Sequence, residues 1–295
     1  VKDVFMEPLN DGRYCLKEFA NTQRKLEAYF AAQPANEKNE KIKEGLYSLI
    51  DDVLFIEDAE KKGHYHPRIA AQSTYVYKSL SDYERWCFDR LYNDFFYHRH
   101  NDFWYGKAMW KLPPLINATD MLVCGEDLGM IPDCVASVMS GEKILSLEIQ
   151  RMPKDPKQEF GNPYIYPYMC VCTTSTHDMS GIRAWWEEDR EKTQHFYNNV
   201  LQQWGEAPQF AEPWICDKIV CDHLNSPAIL TILPLQDWLS VSGDLRRENP
   251  QEEQINVPAN PFHYWKYRMH MTLETLLEQK AFNQSIKDRI VNSGR

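Results

Sequence analysis

The chain has 295 residues and a net charge of −10, with ordinary apolar and charged fractions, which suits one large soluble domain or two smaller ones. That charge argues against sequence-independent nucleic-acid binding, whose affinity comes from cationic contacts to phosphate, and against docking on an anionic membrane surface. The apolar runs fall short of a membrane span. The N-terminal VKDVFMEPL has the features of neither a signal nor a transit peptide. The eight dispersed cysteines read as reduced thiols, and the expectation is a cytoplasmic protein with no nucleic-acid or membrane partner. Because the chain starts on Val1 with no initiator Met, it is expected to be the later part of a longer polypeptide. Nine Trp and sixteen Tyr offer flat faces that suit sugar rings, although core packing is the commoner use of such residues.

In chain order, residues 1–80 form the first predicted region, mainly helical. Leu26, Tyr29 and Phe30, and then Leu46, Leu49, Ile50, Val53 and Leu54, recur at three- and four-residue spacing and place helices over Phe19–Gln33 and Ile42–Phe55. His64–Tyr75 reads as a polar loop. The second region, 81–295, begins with one long helix or two over Ser81–Leu112, carrying an aromatic stripe (Phe88, Tyr92, Phe96), and Pro113-Pro114 is expected to end it.

The pattern then changes. Met121–Cys124 is an uninterrupted apolar run, as in a strand covered on both faces. A short helix follows over Asp133–Met139, then strands over Lys143–Gln150, Tyr168–Thr174 and Ala228–Leu233. The loop Met152–Tyr168 separates the first two of these, and helices over Gly181–Glu191, His195–Trp204 and Trp214–Leu224 precede the last. A final helix is predicted over Tyr264–Lys280. Strands alternating with helices mean an α/β sheet. Four such strands are half of a (β/α)8 TIM barrel, whose typical length of about 250 residues does not fit after Met121.

Three strand ends carry acids: Glu126-Asp127, His177-Asp178 and Gln236-Asp237. In a barrel these ends share one mouth, where the chemistry is done. Glycosyl transfer needs such groups: a protonated acid for the leaving oxygen, an ionised nucleophile, and hydrogen bonds that strengthen as the ring flattens. Each pair taken alone reads equally as a helix cap with a solvated neighbour. Cys170-x-Cys172 and the group Cys216, Cys221, His223 have spacings that suit no standard zinc motif, so neither a metal nor a cofactor is expected. No Gly-rich phosphate loop and no Ser-His-Asp elbow is present.

VCGEDLGMIPDCV and TSTHDMSGIRAWWEED resemble the acid/base and seventh-strand motifs of the 4-α-glucanotransferases, family 77 of the glycoside hydrolases. RLYNDFFYHRHNDFW, IQRMPKDPKQEFGNP, ILPLQDWL and NPFHYWKYRMHMTLETLL extend the resemblance, toward the plant cytosolic disproportionating-enzyme type, from about Ile42 to the end. The resemblance implies retaining transfer of glucosyl or glucan segments among α-1,4-glucans and malto-oligosaccharides. Glu126 would be the general acid/base, Asp178 the transition-state stabiliser, and Asp127 and His177 sugar contacts. Asn256 would be a further substrate contact, although Ala259 stands where the related motif has Gly. Trp185 and Trp186 would stack on sugars if exposed and pack the helix if not. The R-x-D-H motif of the family's nucleophilic Asp is missing. That residue is therefore expected in an upstream half of the same polypeptide, with residues 1–80 as an insertion after strand 4 and 81–295 supplying strands 5–8. A hydrolase of the same superfamily and a non-catalytic glucan-binding fragment are the alternative readings. The loop Met152–Tyr168 is the expected lid over the acceptor side.

Overall fold

The computed structural model describes residues 1–10 and 12–295, and they form two compact units, Val1–His100 and Asn101–Arg295. In the first unit the periodic apolar residues form helices Gln23–Ala31 and Glu37–Asp51. Each start is fixed by a side-chain cap, Thr22 Oγ1 accepting from Lys25 N and Asn36 Oδ1 from Asn39 N. Leu26 and Leu46 meet Phe5 and Ala20 in a small core. Two hairpins were not foreseen: β1 (Met6–Pro8) with β2 (Tyr14–Leu16), and β3 (Phe55–Glu57) with β4 (Tyr65–Pro67). Three-residue strands are too short to show a period of two, and β4 lies inside the stretch read as a loop. Helix Asp82–Asn93 opens on a full capping box between Ser81 and Glu84 and runs into a π-helical turn at Asp94–His98. Phe88, Tyr92 and Phe96 of the predicted stripe pack ring against ring, and Phe95 packs edge-on against Phe96.

The second unit opens with helix Asn101–Ile116, which runs through Pro113 and Pro114 instead of ending there. Both prolines sit in its last turn, so the backbone bonds lost with their N–H groups are confined to the helix end, and their fixed φ near −65° is helical. A parallel sheet follows in the order β5 (Ser146–Ile149), β6 (Cys170–Thr173), β7 (Leu230–Thr231). Ser146 stands opposite Cys170, and Val171 opposite Leu230. The expectation for Met121–Cys124 needs correction. Only Cys124 pairs, through one parallel bridge to Leu145, while Met121 is 73% and Leu122 53% exposed. The segment lies at the edge of the sheet with, among the described residues, a neighbour on one side only, bonded through Gly125 N to Leu145 O (2.8 Å) and Leu145 N to Val123 O (3.0 Å).

Helix Cys134–Gly141 leads to β5. Helices Ile182–Glu188, Arg190–Asn199 and Pro213–Leu224 form the crossover from β6 to β7. Their inner faces, with Ile182, Trp186, Phe196, Ile215 and Val220, build the main core. Parallel strands joined through helices make this unit α/β. The C-terminal prediction also needs correction, since the helices are Leu273–Glu278 and Lys280–Asn292 and 264–271 is not helical. Its backbone is held by tertiary bonds, with Arg247 Nη2 donating to Arg268 O and His270 Nε2 to Leu245 O, and these override the local apolar period.

Candidate active site

The sheet is parallel, so the segments leaving the carboxyl ends of its strands lie along one edge. Gly125 begins the first of them. A Cβ there would stand 3.0 Å from Met139 Cε and 3.2 Å from Ile144 Cγ2, so glycine lets the turn lie close against the helix and strand that follow. Glu126 is exposed, and its Oε1 accepts from Leu128 N at 2.8 Å. Asp127, expected as a sugar contact, needs correction: it points the other way and is 5% exposed, with both oxygens taken by protein donors. Its Oδ1 accepts from Leu147 N at 2.9 Å, and its Oδ2 accepts from Lys154 Nζ at 2.6 Å. Lys154 also lies 2.8 Å from Glu148 Oε1. Burial pushes the Lys154 ammonium down, but its bonds to Asp127 and Glu148 outweigh this and raise it above the usual lysine range.

A second group forms after β6. Asn256 Nδ2 donates to Asp178 Oδ1 at 2.6 Å, and Asn256 N donates to His177 O at 3.1 Å. His177 Nε2 lies 3.2 Å from Asp178 Oδ2, and the His177 ring packs 5.0 Å from the Trp265 indole. His177 and Asp178 keep about half their side-chain surface open. Beside them a cavity of about 200 Å³ is lined by His177, Met179, Leu233, Gln236, Glu253 and Ile255 among others. Burial pushes the Glu253 carboxyl up to about 7, against the opposing pull of Arg183. The structure thus brings His177, Asp178 and Asn256 together, and Glu126 with Asp127. No hydrogen bond or ion pair among the described residues joins the two groups.

Asp237 ends in the protein interior. It is 1% exposed and accepts from Thr174 Oγ1 (2.5 Å), Ser175 Oγ (2.9 Å) and Ile182 N (2.8 Å). It caps a helix and ties down the start of the segment that carries His177 and Asp178. Trp186 needs correction as a sugar contact: it is 0% exposed in the core, with its Nε1 donating to Pro208 O. Trp185 is 8% exposed. In this tandem the helical period turns both rings inward against Phe196.

Lys154, Trp265 and Glu253 were not singled out from the sequence. Lys154 lies within the block IQRMPKDPKQEFGNP, but nothing in that block marks it as the shared partner of Asp127 and Glu148. An aromatic nine residues from a candidate asparagine was the available signal for Trp265. The loop 152–168 is fastened, not free. Lys154 holds its start, Gly161 N bonds Gln150 O (2.7 Å), and Tyr164 Oη donates to Asp222 Oδ1 (2.6 Å).

A family model described as 4-alpha-glucanotransferase matches residues 26–273. Over 295 residues the chain is 38% identical to 4-alpha-glucanotransferase DPE2 of Oryza sativa subsp. japonica, covering 99% of this chain and 31% of that protein. It is 30% identical over 179 residues to the 4-alpha-glucanotransferase of Chlamydia pneumoniae, covering 60% of this chain and 34% of that one. Among solved structures, the amylomaltase from Streptococcus agalactiae in complex with acarbose aligns with a TM-score of 0.45 at 20% identity, over 60% of this chain and 32% of that one. The chain spans about a third of the length of these relatives. On the family match and the identity across almost its whole length, the chain belongs to the 4-alpha-glucanotransferase family.

Proposed function

We propose that the chain supplies the acid/base side of a retaining 4-alpha-glucanotransferase site, which moves glucosyl or glucan segments from malto-oligosaccharide donors to α-1,4-glucan or glucose acceptors. Glu126 is the general acid/base and Asp178 the transition-state stabiliser. Asp127 shapes the turn that presents Glu126, and His177 and Asn256 contact the sugar. The nucleophilic Asp comes from the upstream half of the same polypeptide. On this reading residues 1–80 are an insertion after the fourth strand of a (β/α)8 barrel, 81–295 are its second half, and the enzyme works in the cytoplasm. Among the described residues no helix is long and apolar enough to cross a membrane.

The observation that carries the proposal is the bond from Asn256 to Asp178. It spans 78 residues of sequence, lies in an open position beside a sugar-sized cavity, and fixes one carboxylate oxygen while the imidazole stands near the other. A carboxylate oriented by an amide is suited to accept hydroxyls that bind more strongly as the sugar ring flattens. Glu126, with room around it, is placed to hand over a proton and take one back. The test is Glu126→Gln in the full-length polypeptide. Disproportionation of maltotriose should fall by about 10²–10⁴-fold, the range typical of general acid/base groups. Transfer within a few-fold of wild type would refute the assignment.

A further inference from the structure

Lys154 joins three separate segments at one atom. Its Nζ contacts Asp127 Oδ2 (2.6 Å) in the turn after Gly125 and Glu148 Oε1 (2.8 Å) on β5, while its own backbone belongs to the loop that leaves β5. The two carboxylates are mostly covered, with side chains 6% and 13% exposed, and Lys154 itself is 29% exposed. Two partly buried like charges this close to one point repel unless a cation lies between them. The remaining titratable neighbours cannot serve as that cation. Tyr166, Cys170 and Cys172 carry no positive charge in any protonation state, and burial keeps them from becoming further anions, the two thiols pushed up to about 12, while the Arg295 guanidinium is bonded to the carbonyls of Leu224, Ser226 and Ala228. Asp127 is thereby fastened through both oxygens, to Leu147 N and to Lys154. Gly125 N is fastened to Leu145 O. Glu126, between these two residues, has its backbone fixed from both sides.

We propose that Lys154 is a positioning residue for the Glu126 turn: by drawing Asp127 and Glu148 onto one ammonium it sets where Glu126 projects and couples that position to the loop after β5. The proposal rests on the reading of Glu126 as the acid/base. Lys154 acts only through the turn, so its loss affects the proton-transfer step more than binding of the donor. Misplacing a reacting group by an ångström costs up to about 10²-fold in rate.

The experiment uses the full-length polypeptide with maltotriose as donor and compares Lys154→Met, Lys154→Arg, the double variant Lys154→Met/Glu148→Gln, and Glu126→Gln. Lys154→Met should lower kcat by about 10- to 100-fold with donor KM within twofold of wild type. Lys154→Arg should recover most of the rate, because it restores the cation. The double variant should recover part of it, because the amide removes one of the two opposed charges. Lys154→Gln replaces Lys154→Met, with the same expectation, if the latter does not fold. A folded Lys154→Met or Lys154→Gln enzyme with kcat within twofold of wild type, alongside an inactive Glu126→Gln, overturns the role of Lys154. If Glu126→Gln itself transfers normally, the acid/base assignment falls, and the inference falls with it.

Discussion

Replacing Asp237 by Ala tests the claim that this strand-end acid holds the site together from below. Its carboxylate accepts three hydrogen bonds, from Thr174 Oγ1, Ser175 Oγ and Ile182 N. Bonds to a charged group contribute about 1.5–3 kcal/mol each, which sets a ceiling of roughly 4.5–9 kcal/mol. The loss should fall short of that ceiling. The two hydroxyls can rotate toward other acceptors, and the desolvation cost of a 1% exposed carboxylate disappears with it. The Ile182 N–H cannot turn, and it is left stranded at a helix start that has no other side-chain cap. The expected destabilisation is therefore about 3–5 kcal/mol, below that ceiling and above the roughly 1–3 kcal/mol of a single stranded buried group. Urea unfolding of the full-length polypeptide, followed by tryptophan fluorescence, reads this as a shift of the transition midpoint at unchanged slope. The exposed Asp244→Ala should stay within about 0.5 kcal/mol and serves as control. A loss below about 1 kcal/mol for Asp237→Ala would show that the three bonds are not what holds the 174–182 segment.

Glu253→Gln should stabilise the protein in a pH-dependent way. Burial raises the folded-state pKa to about 7 from an ordinary 4.5, so the wild type is unaffected below the lower value, loses stability as pH rises between the two, and carries the full penalty above 7. The Tm difference between variant and wild type should therefore be near zero at pH 4 and positive at pH 8; a difference independent of pH would contradict this. Gly181→Ala would place a Cβ 2.9 Å from Asp237 Oδ1 and should cost about 1–3 kcal/mol, less in an Asp237→Ala background because the clashing atom is gone.

The layout of the α/β unit was legible because its signals are local and long. The inward faces of 182–188 and 213–224 carry apolar residues at helical spacing, and KILSLEIQ and YMCVCTT are bounded by turn residues. Met121–Cys124 misled because apolar composition reports what a segment can bury, not whether a strand lies on each side of it. The Tyr264–Lys280 reading failed because Arg247, bonded to the Arg268 carbonyl, and Leu245, whose carbonyl accepts from the His270 ring, hold that segment, and such distant partners leave no trace in a local window. At the site, the motifs picked out Glu126, Asp127, His177, Asp178 and Asn256. Whether an acid is open like Glu126 or enclosed like Asp237 depends on packing, so three strand ends that look alike in sequence differ in kind. Lys154 was invisible for the same reason: its importance lies in what converges on it.

The link between Asp178 and Asn256 has a consequence for biosynthesis. Chains emerge from the ribosome N-terminus first, and domains organise as their segments become available. The sheet can close once β7 at Leu230–Thr231 has emerged, yet Asp178 acquires its amide only after a further stretch of chain has cleared the exit. A nascent chain stalled between those two points would own a finished sheet and an unfinished site. A chain ending in that window would keep the sheet strands but lack the amide that orients the Asp178 carboxylate.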